Sequence, residues 1–230
     1  MKTEYERRVQ ETMERVQARA SIRTERYDRG PLADYMKDPK DALDIARNAE
    51  KRPLPEGLTA NFHRYAEFLF AWRFGEPFQE IAGEFHLVHI ANALLGGTPP
   101  HPAASPEAPQ LVSEFKIFQT HPVGGTGTYS ALRLTEDGQE PELWYFDIRQ
   151  GPTRLHISYG DYLDTMLLTK GLYNWQYLFA EPDPNNYAMR VSIPRLRNGL
   201  DLLAREFPDD DQSDLRARLE ERARAADKDR

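Results

Sequence analysis

From Thr3 to about residue 27, apolar positions recur every three or four residues. Tyr5, Val9, Met13, Val16 and Ala20 form a narrow stripe through an otherwise charged segment. That spacing predicts a helix, and Thr3 with Glu6 three positions later supplies a capping box at its start. So narrow a stripe needs a surface to lie against, on the same domain or on a second chain. Gly30-Pro31 breaks the pattern. Asp38-Pro39 restarts it, with an aspartate N-cap and a proline in the first turn, and Leu43, Ala46 and Ile45 are expected to face inward. The next segment, EGLTANFHRYAEFLFAWRFG, places Leu58, Phe62, Tyr65, Ala66, Leu69 and Trp72 at helical spacing. It reads as a central core helix stopped by Gly75, with Phe68 and Phe70 covering a second face.

After Gly83 the period changes. GEFHLVHIANALLGG starts as a strand through Phe85 and Leu87 and continues as a short helix ending at Gly96-Gly97. Residues 96 to 110 form a proline-rich loop. Four runs rich in aromatic and branched residues follow: LVSEFKIFQT, TYSALRLT, ELWYFDI and RLHIS. Turn signals separate them, which predicts an antiparallel meander of four strands. Trp144, Phe146 and Ile148 should share one face, with Leu143 and Tyr145 on the other. Both faces carry apolar residues, so helices should cover both at least in part. Tyr159, Tyr162, Leu163, Met166 and Leu167 then form an amphipathic helical stripe, and Gly171 sits where a left-handed cap belongs. The rings of Tyr173, Trp175, Tyr177 and Phe179 come next and are expected to close the core, each burying about 150–250 Å². Another helix, interrupted near Pro194, is expected from AMRVSIPRLRNGLDLLAREFP. The charged tail from Asp209 has little to bury beyond Leu215 and Leu219, which suggests a solvated appendage.

Composition narrows the functional classes. The 230 residues carry a formal net charge of −7, which disfavours a general nucleic-acid binder and suits a basic protein partner. There are no cysteines, so disulfides, thiolate zinc sites and cysteine nucleophiles are excluded. The N-terminal stretch lacks the apolar region of a signal peptide, and no segment reaches membrane-span length, so a cytoplasmic protein without membrane contact is expected.

Candidate chemistry is sparse. His86 and His89 have an H-x-x-H spacing, but a zinc-protease helix needs one more residue between its histidines and a glutamate beside the first. A structural or surface role is expected. HPVGGTGTY offers glycines that could cradle a phosphate, yet it precedes a strand rather than a helix, so a hairpin loop is the expectation. The acidic run at 209–211 reads as a helix-entry cap and a solvated stretch. No catalytic constellation, cofactor site or metal site is identifiable. The turn EDGQEPE gathers Glu136, Asp137, Glu140 and Glu142 on one hairpin. It reads as a solubilising tip or as an edge that meets a basic partner.

Three stretches carry a resemblance to a known family: PLPEGLTANF (Pro53 to Phe62), GEFHLVHIANAL, and LWYFDI with ISYGDYLDTMLLTKGLYNWQYLF. Together they resemble the SUKH superfamily, which includes a fungal cell-wall-synthesis regulator and many bacterial immunity proteins. The resemblance implies an α+β fold, a twisted and mostly antiparallel sheet packed by helices. The family-like core would span residues 50–182, with helical extensions at 1–49 and 183–230. It also implies a non-catalytic protein-binding module, such as an immunity protein that neutralises a nuclease-type toxin. The alternative is a small-molecule-binding protein or hydrolase with a pocket near the proline-rich loop.

Overall fold

Phe68, Phe70, Trp72 and Phe74 lie two residues apart, and all four are buried. A period of two puts them on one face of strand β2 (Glu67–Phe74). The expected core helix over this segment is therefore corrected: only Glu56–Thr59 is helical, as one 3₁₀ turn. Leu69 and Ala71 occupy the opposite face, so the run is apolar on both sides and fits either period. The computed structural model describes residues 2–32, 38–96, 109–136, 138–183 and 186–227.

Helix α1 (Glu4–Gln17) begins with the predicted capping box, in which Thr3 and Glu6 hydrogen-bond reciprocally. It ends ten residues before the expected boundary. A tight turn at Ala18–Ser21 then leads into strand β1 (Ile22–Arg29). Sequence reading missed this strand because it is a charged edge: Ile22 alone is buried, so no alternation shows. Helix α2 (Pro39–Glu50) has the expected Asp38 cap and buries Ala42, Leu43 and Ala46. Strand β3 (Ala82–Val88) and helix α3 (Ile90–Leu95) follow the predicted strand-to-helix order. Most of the proline-rich loop lies outside the described residues.

A short helix α4 (Pro109–Ser113) precedes the meander of β4 (Lys116–Thr120), β5 (Thr128–Arg133), β6 (Glu142–Asp147) and β7 (Gly151–Leu155). The four expected strands continue a larger array. Among the described residues seven strands pair in sequence order, each antiparallel to the next. The fold class is α+β.

Helix α5 (Tyr159–Leu168) buries all five residues of its predicted stripe. Lys170 and Gly171, at φ 55° and 71°, turn the chain out of the helix. Trp175–Phe179 form a 3₁₀ helix whose rings are buried, as expected of a core closure. Helix α6 (Tyr187–Glu206) runs through Pro194 without the expected interruption. Helix α7 (Ser213–Asp227) is docked rather than a solvated appendage: Leu215 and Leu219 are buried, and the Arg218 guanidinium lies 4.4 Å from the Phe179 ring centroid. Two well-spaced leucines suffice here because α6 and the 3₁₀ helix provide a ready surface.

The sheet's inner face and the helices around it share one apolar cluster running from Tyr5 to Leu219. Both expected terminal extensions therefore contribute to one core. Residues Val112, Phe115, Tyr129, Ala131 and Phe146 form a smaller cluster on the outer face. Leu143 and Tyr145 point inward and Trp144 and Phe146 outward, as the alternation predicts. Ile148 lies beyond the strand and is exposed.

Candidate functional site

Arg133 on β5 and Glu142 on β6 are cross-strand partners on the outer face, next to the hairpin that joins them. Beside them a cleft of about 540 Å³ opens, lined by Glu50, Arg52, Ser113, Glu114, Lys116 and the segment Arg133 to Glu136, with Glu142. It is larger than the hollows of about 240 and 290 Å³ elsewhere on the molecule. The ends of α2 and α4 and the ends of three strands meet there.

Charges of both signs are tied together around this cleft. Lys116 donates to Glu50 at 2.5 Å and to the Leu94 carbonyl at 2.9 Å. Arg133 reaches Glu114 at 2.7 Å and Glu142 at 3.2 Å. Glu142 also receives the Trp144 indole N–H at 3.1 Å and faces Arg154 at 3.1 Å. Partial burial works to raise the Glu142 pKa. The bonds from Trp144 and Arg133 and the charge of Arg154 outweigh it, so the carboxylate stays below its ordinary range.

The acidic hairpin is thus not a uniform edge. Glu136 is exposed, lines the cleft and has no ion pair among the described residues. Glu140 is exposed, with its carboxylate lying close against Gly57. Glu142 is consumed by its arginines, and Asp137 lies outside the described residues.

His86 and His89 do not act together. His89 is buried and caps α3, accepting from the Ala91 N–H at 3.1 Å. Its ring packs 5.5 Å from that of His63, a buried neighbour that sequence reading did not single out. Among the described residues no group of three metal-ligating side chains is assembled. His86 instead lies on the outer face between Thr120 and Glu67, with ring nitrogens 2.9 Å from the hydroxyl and 2.7 Å from the carboxylate. Adjacent strands β2, β3 and β4 supply these three groups, so no local motif announces them. Their order, hydroxyl–imidazole–carboxylate, is that of an activated nucleophile. None of the hollows above is lined by any of the three.

The glycine loop between β4 and β5 leads into a strand, as expected, and it does cradle an anion: the chain's own Glu84. The N–H groups of Val123 and Gly124 each donate to that buried carboxylate at 2.7 Å, and the Tyr173 hydroxyl donates at 2.9 Å. A Cβ on Gly124 would run into the Tyr173 hydroxyl, which explains the glycine. At the acidic run, Asp211 caps α7 through the Ser213 N–H, as expected of a helix entry. Asp210 is not simply solvated. It pairs with Arg15 at 2.8 Å and with the buried Lys170, whose ammonium also sits 4.8 Å from the Phe207 ring centroid.

Inside the sheet a polar chain is hydrogen-bonded throughout. Tyr162 donates to Gln119 at 2.5 Å, and Gln119 contacts His121, which contacts Thr128. Burial holds His121 down at about 4, so it is neutral at ordinary pH. Such a network fixes the packing of the side chains that share it.

No family model, curated protein or solved structure matches this chain. No helix among the described residues is long and apolar enough to cross a membrane.

Proposed function

We propose that the protein is a non-catalytic protein-binding module, an immunity protein in the manner of the SUKH superfamily, and that it engages a basic toxin domain at the outer-face cleft. The observation that carries this reading is the cleft's lining: seven charged side chains of both signs, only the hydroxyls of Ser113 and Thr135, and no histidine. It has no nucleophile with a base beside it, yet offers Glu136 and the half-exposed Glu114 to an incoming lysine or arginine. A partner that inserts a basic side chain gains steering at a distance and register on contact. The resemblance supports the same class of function.

The test is affinity capture from the native host with two baits, wild type and Glu114→Lys with Glu136→Lys. A basic protein retained by the first and lost by the second supports the reading. A partner captured equally by both places the interface elsewhere.

The Thr120–His86–Glu67 array favours one second reading, a hydrolase acting by acyl transfer. An activated phosphonate or ester probe would then label Thr120, and His86→Ala would abolish labelling. An unlabelled protein removes this alternative.

A further inference from the structure

A meander in sequence order places every second turn at the same end of the sheet. Turns β2–β3, β4–β5 and β6–β7 therefore share the end opposite the charged cleft. Each carries one exposed apolar side chain: Phe78 at 40% exposure, Val123 at 40% and Ile148 at 42%. Two strand spacings, about 10 Å, separate each of these turns from the next. Their levels differ. Val123 lies beside Glu84, held by its hydrogen bond to that side chain, while the β2–β3 turn projects beyond Ile81. At roughly 3.3 Å per residue, Phe78 stands on the order of 10–15 Å beyond the shelf formed by Val123 and Ile148.

The charges on this end are split in the same way. The projecting turn carries Glu76 and Glu80, both exposed and without an ion pair among the described residues. Nearby Arg73 is already committed to Glu25 and to the Gln79 carbonyl. The shelf carries Arg149, whose side chain is 62% exposed and holds Asp147 through Nε and Nη2. One end of the ridge is apolar and acidic, and the other is apolar and presents the exposed guanidinium of an Arg149–Asp147 pair whose carboxylate is buried, with Val123 between them.

We propose that this surface binds a second copy of the chain, as a two-fold dimer whose axis runs normal to the sheet near the Val123 turn. That axis sets the projecting turn of each protomer on the shelf of its partner. Phe78 then meets Ile148, and Glu76 and Glu80 face Arg149, twice over. A patch with this arrangement is self-complementary, which is what an isologous interface requires. The three turns fall short of the roughly 20–30 residues a side of a standard interface, so association is weak and reversible, in the micromolar range or above. Salt weakens it further, because its polar contacts are exposed. The cleft lies at the far end of the sheet, so this dimer leaves it open and is independent of the function proposed above.

The absence of cysteine from the natural chain allows a direct test. Phe78→Cys and Ile148→Cys proteins are oxidised separately and as an equimolar mixture. The mixture should form covalent dimers at least about tenfold faster than either alone, whereas Val123→Cys, kept about 10–15 Å from its own copy by the projecting turns, should not cross-link to itself. Sedimentation velocity of the wild type from about 10 to about 500 µM should show a monomer–dimer equilibrium. Ile148→Asp should weaken it at least tenfold with an unchanged circular dichroism spectrum. A wild type that stays monomeric over that range overturns the proposal. So does a mixture that cross-links no faster than its components, or a dimer indifferent to Ile148→Asp.

Discussion

The sheet's inner face shares one apolar cluster with α1, α2, α3, α5, α6 and α7, in which Trp72, Phe85, Tyr145 and Trp175 are wholly enclosed. On its outer face the apolar cover is one short helix over a five-residue cluster, and the remaining positions hold Glu67, His86, Thr120, Arg133, Glu142 and Arg154. Polar groups occur on both faces but under different terms. Inside, Gln119, His121, Ser130 and Tyr162 are hydrogen-bonded to one another. Outside, the charges pair around an open hollow. The division follows from desolvation, since a buried ion needs every partner built in, whereas a half-exposed one can exchange water for a ligand. The inner face carries the stability, and the outer face is where binding chemistry can be placed.

The sharpest way to break this division is to remove the C-terminal 23 residues, from Pro208 on. Deletion uncovers the sites of Leu215 and Leu219 and takes Asp210 from the buried Lys170. Two leucines are worth about 1.5–3 kcal/mol each, and an orphaned buried charge about 3–5 kcal/mol. The truncated chain should be largely unfolded by circular dichroism. A cooperative melt near that of the full chain would show that the inner face does not depend on α7.

Acid tests the same face more gradually. Burial, with the nearby His89, pushes His63 down to about 3, and burial pushes His121 to about 4. In the unfolded chain both titrate near the ordinary value of 6.5. The unfolded state therefore binds more protons below pH 6.5, and the stability these residues supply is complete above that pH. It is lost as pH falls, by two protons' worth down to about pH 4 and by one between about 4 and 3. Each proton corresponds to a slope of about 1.4 kcal/mol per pH unit. Urea midpoints measured from pH 7 to 4 should show this slope, and His63→Phe should reduce it by one proton.

A matched pair of truncations compares the faces directly. Trp175→Ala on the inner side should cost about 3–5 kcal/mol in urea denaturation. Phe115→Ala, in the small outer cluster, should fall at the low end of that range, about 3 kcal/mol, because that cluster can partly collapse. Equal losses would mean that the outer cluster is as integral as the core.

Where the chain's pattern had one solution, it was legible. The caps at Thr3 and Asp38, the α5 stripe and the aromatic closure at Trp175–Phe179 follow from local spacing, and the four-strand meander from its turn residues. Strand β2 was misread because Leu69 and Ala71 make both of its faces apolar, so Phe68, Phe70 and Trp72 were fitted to a helix. Strand β1 was missed because an edge strand of alternating charges carries no burial signal. Sites made of distant parts fared worst. Glutamate 84 meets its glycine loop 39 and 40 residues away, and His86 finds Thr120 34 residues away. The acids of the β5–β6 hairpin were visible, but not the arginines that neutralise Glu142.

The smallest expected effect on stability accompanies the largest expected effect on binding. Glu114→Lys with Glu136→Lys alters only exposed or half-exposed charges and should shift the unfolding free energy by no more than about 1 kcal/mol. The decisive measurement is the association rate of this variant and of wild type with the captured basic partner, at low and at high ionic strength. If the outer cleft is the docking site, the variant should associate at least about tenfold more slowly at low salt, and the two rates should converge as salt screens the charges. Equal rates at low salt, with both proteins folded, would contradict the assignment of binding to this cleft.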